Sequence, residues 1–127
     1  NHIKVEKSYT SDPCRALVDT EKIKLALLNI IVNGIEAMEN NTGVLELITR
    51  RIDHKCLIEI RDNGKGMDET ILQNLFEPYF TNKQKGNGLG LTNTQNIIFN
   101  HKGSINVNSK PGQGTSFLII LNLAENC

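Results

Sequence analysis

VLELITRRIDHKCLIEIRDNGKGM, residues 44–67, decides how the chain is read. Residues 44–52 and 56–62 are rich in β-branched and apolar side chains, and Asp53 to Lys55 breaks them apart. That is a strand, a hairpin turn and a returning strand. On the returning strand, side chains alternate between the two faces. Ile58, Ile60 and Asp62 share one face, while Leu57, Glu59 and Arg61 share the other. Asp62 therefore stands where the apolar face continues. An unpaired carboxylate there would cost several kcal/mol, so it needs partners. Gly64 and Gly66 follow at once and let the backbone turn tightly. A carboxylate acceptor beside such a turn suits an amino group on a flat ligand. The plainer alternative is a turn aspartate bonded to its own loop.

The pattern extends outward in both directions. IKVEKSY (3–9) alternates and reads as an edge strand, followed by a turn and short extended piece at SDPCRALV. Asp19 or Thr20 can cap a helix that runs to the Asn-Asn-Thr-Gly cluster at 40–43. Downstream, Asp68 can cap a short helix over 68–76. EPYFTNKQKGNG is polar and non-periodic, and LGLTNTQNIIFNHK is a second longer helix. GSINVNS (103–109) and GTSFLIILNL (114–123) are strands joined by KPGQG. Thr115 is in phase with Phe117, Ile119 and Leu121 and so points inward. Helices interspersed with hairpins predict an α+β, two-layer sandwich. Its mixed, mostly antiparallel sheet would have about five strands, covered on one face by about three helices.

Bulk composition narrows the possibilities. The chain has 127 residues, enough for one domain with a real core. Hydrophobic residues make up 39% and charged residues 22%, which places it among globular domains. Lys plus Arg equals Asp plus Glu, 14 against 14, so no general affinity for nucleic acid or an anionic membrane follows. No apolar run reaches membrane-spanning length. Cys14, Cys56 and Cys127 are odd in number and lack CxxC spacing, so they read as free thiols in a reducing compartment. Cys127, at the tail, is the one expected to be exposed. His2, His54 and His101 are scattered and have no second ligand at metal spacing.

Two further features carry chemistry. In the long helix Asn29, Asn33 and Glu36 fall on one narrow face at about 100° per residue. Ile23, Leu27, Ile30, Ile31, Gly34 and Met38 lie opposite. Leu25, Ala26 and Val32 border the polar stripe, so it is not expected to be fully solvated. Amides lining a concavity can hold a metal or a ligand, or can simply bond within the protein. KGNGLGL (85–91) is glycine-rich and opens a helix. No strand precedes it and the spacing is GxGxG, which excludes a Rossmann loop. No lysine follows Gly90, which excludes a P-loop. An anion at the helix start fits, with Lys83 and Lys85 just upstream, and so does a plain hinge.

Taken in order, NIIVNGIEAM, DNGKGM, LFEPYFTNK, GNGLGL and GQGTSF resemble the ATP-binding domain of sensor histidine kinases. That family belongs to the GHKL superfamily, with gyrase, the heat-shock ATP-dependent chaperones and the mismatch-repair ATPases. The likeness spans residues 3 to 123. It implies that Asn33 coordinates Mg2+ and that Asn29 supports the phosphate end with a catalytic role. Asp62 would recognise the adenine amine, with Gly64, Gly66 and Met67 shaping the pocket and Thr115 beside the base. Phe76 and Phe80 resemble aromatics that anchor an ATP lid over residues 77–88, and Lys83 a phosphate-contacting, catalytic lysine. Gly86, Asn87, Gly88, Leu89, Gly90 and Leu91 resemble the second glycine box at the phosphates, and Gly112 and Gly114 belong to the last box.

Two departures stand out. Gly34 follows Asn33 where the family has alanine, and Glu36 occupies a position often basic. Asn29 stands where hydrolysing relatives carry a glutamate base, and an amide is a very poor base at neutral pH. The chain therefore looks built for phosphoryl transfer more than for hydrolysis. The implied activity is that of a protein-histidine kinase, with residues 1–127 a cytoplasmic fragment of a longer parent that is itself membrane-anchored or not. Its implied partners are a helical dimerisation domain carrying the acceptor histidine and a response regulator receiver domain. A GHKL-type ATPase and a non-catalytic nucleotide-binding module are the competing readings.

Overall fold

The computed structural model describes residues 2–9, 18–38, 42–77 and 90–123. Within them the chain forms β1 (His2–Ser8), α1 (Thr20–Ala37), β2 (Thr42–Ile52), β3 (Lys55–Asp62), α2 (Glu69–Gln73), α3 (Gly90–Asn100), β4 (Ser104–Lys110) and β5 (Gly114–Asn122). The strands make one five-stranded sheet in the order β1-β2-β3-β5-β4. β1 is parallel to β2 at the edge, and the other pairings are antiparallel. The expected α+β sandwich with a mixed sheet is the fold found.

Local chemistry explains the element ends. Asp19 caps α1, its carboxylate accepting from the Lys22 amide at 3.2 Å. Asp68 caps α2 in the same way, accepting from the Ile71 amide at 2.9 Å. The β2–β3 hairpin needs only Asp53 and His54 between its paired ends, with Asp53 at a left-handed φ of 54°. Aspartate tolerates that conformation better than most residues. Three helices differ in extent from their sequence expectations. α1 ends at Ala37 with Met38 as its cap, α2 covers only Glu69–Gln73, and α3 stops at Asn100. The apolar period continues through Leu75 and Phe76, which reach the core from turn conformation, and Asn74 closes the helix with its backbone amide bonded back to Ile71 and Leu72.

The core lies between the sheet and the helices. Phe117, Ile119 and Leu121 of β5, Ile60 of β3 and Leu45 of β2 meet Ile23, Ala26 and Ile30 of α1 and Ile98 of α3. Phe117 and Ile119 are almost wholly buried, at 1% and 0% exposure. Truncating such a phenylalanine to alanine typically costs about 3–5 kcal/mol. β5 is thus the central contributor, and its inward alternation carries Thr115 to the same side. α1 turns Gly34 toward the sheet, beside Leu45 and Asp62, and Ala26 is buried where Thr94 of α3 approaches its carbonyl. Leu25, Leu28, Val32 and Ile35 are exposed on its outer side. The far end of the helical layer is tied by His101. Its Nε2 accepts from the Asp19 amide at 2.9 Å, while Nδ1 lies 2.7 Å from the Ile97 carbonyl. With Nε2 accepting, Nδ1 is the nitrogen that donates, to the Ile97 carbonyl. Cys56 is buried and forms no disulfide among the described residues, and Cys14 and Cys127 lie outside them.

Candidate functional site

Asp62 is the last residue of β3, opposite Leu45 on one neighbour and Thr115 on the other. It is only 8% exposed. Oδ1 accepts from the Gly64 amide at 2.9 Å. Burial pushes its pKa above the usual carboxylate range, and hydrogen bonds from the Gly64 and Thr115 backbone partly offset this. The other oxygen faces α1 at Gly34. A Cβ there would lie 3.4 Å from Asp62 Oδ2 and 3.3 Å from Leu45 Cδ1. The glycine that departs from the family's alanine thus marks the closest approach of the helix to the carboxylate.

The turn after Asp62 is pressed against the β4–β5 hairpin. Gly66 has φ 72°, and a side chain on it would overlap the Lys110 carbonyl oxygen. Gly114 has φ 91°, and a side chain there would overlap the Asp62 carbonyl oxygen. Backbone bonds stitch the two segments together. The Gly112 amide donates to Lys65 O at 2.6 Å, and the Lys65 amide donates to Ala37 O at the end of α1 at 3.0 Å. The Met67 amide donates to Ser109 Oγ at 2.9 Å. Asn63 fastens the other side, its Oδ1 accepting from the Val44 amide at 2.9 Å. The result is a rigid cradle around one desolvated carboxylate, with the Thr115 hydroxyl beside it.

The start of α3 forms the opposite end. Asn29 Nδ2 donates to Gly90 O at 3.0 Å and to Thr94 Oγ1 at 3.3 Å. Thr94 is fully buried and donates to Gly90 O at 2.9 Å, with Ala26 O at 3.5 Å. Thr92 Oγ1 donates to Phe76 O at 2.7 Å, joining the residues on either side of the glycine-rich segment. Asn33 is half-buried one turn beyond Asn29 and immediately before Gly34. At 1.5 Å rise per residue, the step along α1 from Asn29 to Gly34 is roughly 7.5 Å.

The structure gathers Asp62, Gly64, Gly66, Met67, Gly114 and Thr115 at one end, and Asn29, Gly90 and Leu91 at the other, with Asn33 between. A Cβ on Gly90 would sit 3.8 Å from Asn29 Cγ, an ordinary contact, so packing does not demand glycine there. Gly112 is exposed at the hairpin tip. Lys83, Lys85, Gly86, Asn87, Gly88, Leu89 and Phe80 lie outside the described residues, while Phe76 is half-buried against the core. Sequence reasoning missed Ser109 and Thr94. Ser109 Oγ lies 2.8 Å from Thr115 Oγ1 and donates to Gly114 O at 2.9 Å. Its signal was the alternation of β4, where Ile105, Val107 and Ser109 share the inner face.

A desolvated carboxylate at one end of a helix and a bonded helix start at the other give a few fixed polar groups of the kind that orient a small-molecule ligand. Residues 18–125 match the histidine kinase-, DNA gyrase B- and HSP90-like ATPase family, and the chain belongs to it. It is 38% identical over 119 residues to Sporulation kinase A of Bacillus subtilis (strain 168), covering 94% of this chain and 20% of that one. It is 37% identical over 120 residues to the sensor histidine kinase ZraS of Klebsiella oxytoca, covering 92% and 26%. The chain thus spans about a fifth to a quarter of the length of these relatives. A nucleotide-free structure of the catalytic domain of the histidine kinase ThkA superposes with a TM-score of 0.84 at 27% identity, covering 95% of this chain and 79% of that one.

Proposed function

We propose that this domain binds Mg-ATP as the catalytic and ATP-binding domain of a sensor histidine kinase. It would present the γ-phosphate to a histidine on a separate helical dimerisation domain of the same kinase. The observation that carries the reading is Asp62. A carboxylate this buried, held by backbone amides of Gly64 and Thr115, is placed to accept from an exocyclic amine. Ionised, it offers no donor, so it favours adenine, which presents an amine, over guanine, which presents a carbonyl. Thr115 adds a hydroxyl on the adjacent strand.

The phosphates would lie toward α3. Asn33 offers an amide oxygen, a hard donor that suits Mg2+, which binds through one or two protein oxygens plus phosphates and water. The metal would neutralise charge on the β- and γ-phosphates. Lys83 and Lys85 are assigned to phosphate contact, and the segment 77–88 to a lid. Asn29 donates to Gly90 O and Thr94 and so positions the helix start. It has no basic atom to activate water, which supports transfer over hydrolysis. Catalysis is then positioning and charge stabilisation at the transferring group. A response regulator receiver domain would take the phosphoryl group next, and a cytoplasmic site follows from the need for ATP. Among the described residues no helix is long and apolar enough to cross a membrane.

Calorimetry with Mg-ATP tests binding, and supplying a histidine-bearing helical domain tests transfer. Saturable binding is expected, with phosphohistidine on the helical domain and none on these 127 residues. Absence of heat at millimolar nucleotide, or rapid ATP turnover without an acceptor, would overturn the proposal.

A further inference from the structure

Ser109 sits at a junction that the adenine reading does not use. Its Oγ accepts from the Met67 amide at 2.9 Å, lies 2.9 Å from the Gly114 carbonyl and 2.8 Å from Thr115 Oγ1. A serine hydroxyl has one proton and here two oxygens to give it to. If the proton points at Gly114 O, Thr115 must donate to Ser109, and only its lone pairs remain for a ligand. If it turns to Thr115 Oγ1, the Thr115 proton is released toward the site. The Met67 amide is the fixed donor in both arrangements.

The base decides between them. Asp62 and Thr115 are direct partners on adjacent strands, so an adenine whose amine donates to Asp62 can turn a ring nitrogen flanking that amine toward Thr115, and N1, on the six-membered ring, is the one assigned here. N1 is an acceptor and needs a proton. We propose that Ser109 is a positioning residue for base recognition, which directs the Thr115 hydroxyl proton onto the acceptor nitrogen of the bound purine. The inference rests on the nucleotide reading above. In the bound state, donors run one way, from Met67 N–H to Ser109 O–H to Thr115 O–H to N1. Each bond polarises the next in such a chain. Ser109 also holds Thr115 Oγ1 in place, and it braces the hairpin against the turn carrying Gly66.

Removing Ser109 therefore weakens the bond to N1 and spares the amine contact and the phosphates. The test compares Mg-ATP with Mg-1-deaza-ATP, in which a C–H replaces N1, by calorimetry on the parent chain and Ser109→Ala. The parent chain should prefer ATP to the analogue. Ser109→Ala should weaken ATP binding about five- to ten-fold, the worth of roughly one hydrogen bond. Its affinity for the analogue should stay within about two-fold of the parent's, a change worth less than one such bond. Equal losses for both nucleotides would reduce Ser109 to a brace for the hairpin and overturn the inference, as would unchanged ATP affinity. A parent chain that binds the analogue as tightly as ATP would also overturn it. If Ser109→Ala does not fold, Thr115→Val must show the same analogue-dependent pattern, and its failure to do so refutes the proposal. A parent chain that binds neither nucleotide refutes the nucleotide reading itself.

Discussion

Asp62→Asn separates what the carboxylate does for the fold from what it does for the ligand. The substitution keeps size and keeps Oδ1, so the 2.9 Å bond from the Gly64 amide survives. It removes a charge from a side chain only 8% exposed, where desolvation outweighs the stabilising backbone bonds and holds the pKa up. The nucleotide-free variant should therefore melt no lower than the parent. Binding should behave in the opposite way. A hydrogen bond to a charged acceptor is worth about 1.5–3 kcal/mol, so losing it weakens ATP about ten- to 150-fold. The new amide also points a donor at the adenine amine, which adds to the loss. Calorimetric titration with Mg-ATP beside thermal melts gives both numbers on one preparation. ATP affinity within a factor of about two of the parent's, less than the worth of one hydrogen bond, would show that the base does not sit at Asp62. A large drop in melting temperature would show that the carboxylate's charge serves the fold, and the reasoning from desolvation would fail.

Three other outcomes follow from the geometry. Because the folded pKa of Asp62 is raised, the native state keeps a proton that the unfolded chain has lost between the ordinary value of 3.8 and the raised one. Stability from this group falls as pH rises through that window, whereas ATP affinity falls as pH drops through the raised value, since the amine needs the ionised carboxylate. Melts and titrations carried upward from pH 3.8 should show both trends in the parent and neither from this group in Asp62→Asn. Gly114→Ala should unfold the domain or shift its melting point sharply, because its Cβ would overlap the Asp62 carbonyl oxygen, while Gly112→Ala, at φ 78° with nothing within 4 Å, should cost only about 1–2 kcal/mol for its left-handed backbone. Thr94→Val, which keeps shape but removes a fully buried hydroxyl bonded to Gly90 O, should cost about 1–2 kcal/mol in denaturant titration, with Asn29 still holding that carbonyl.

The sequence carried the sheet well because period two is unambiguous when one face is buried. Ile60 and Asp62 point inward as their alternation requires, and so do Thr115, Phe117 and Ile119. Ser109 obeys the same rule beside Ile105 and Val107, yet one hydroxyl on an outer strand has no local mark of a role. Its meaning comes from Met67, Gly114 and Thr115, which the fold alone brings to it. The helices were harder. Periodicity placed Ile23, Ile30, Gly34 and Met38 on the apolar side, and they are buried, but it did not show that Leu25, Leu28, Val32 and Ile35 would be exposed. Ala26 was read as bordering the polar stripe and proves fully buried, since its small side chain lets α3 pack close through Thr94. The bond from Asn29 to Gly90 spans 61 residues and has no local signature at all.

α1 touches both ends of the cradle, at Gly34 over Asp62 and at Asn29 on the first carbonyl of α3. The helix therefore works as a ruler with a fixed graduation. Lengthening it by one residue between those positions would add about 1.5 Å and swing one end about 100° around the axis. No side-chain adjustment absorbs such a rotation. A one-residue insertion between residues 29 and 34 should therefore uncouple the two ends and abolish the binding of Mg-ATP seen by calorimetry.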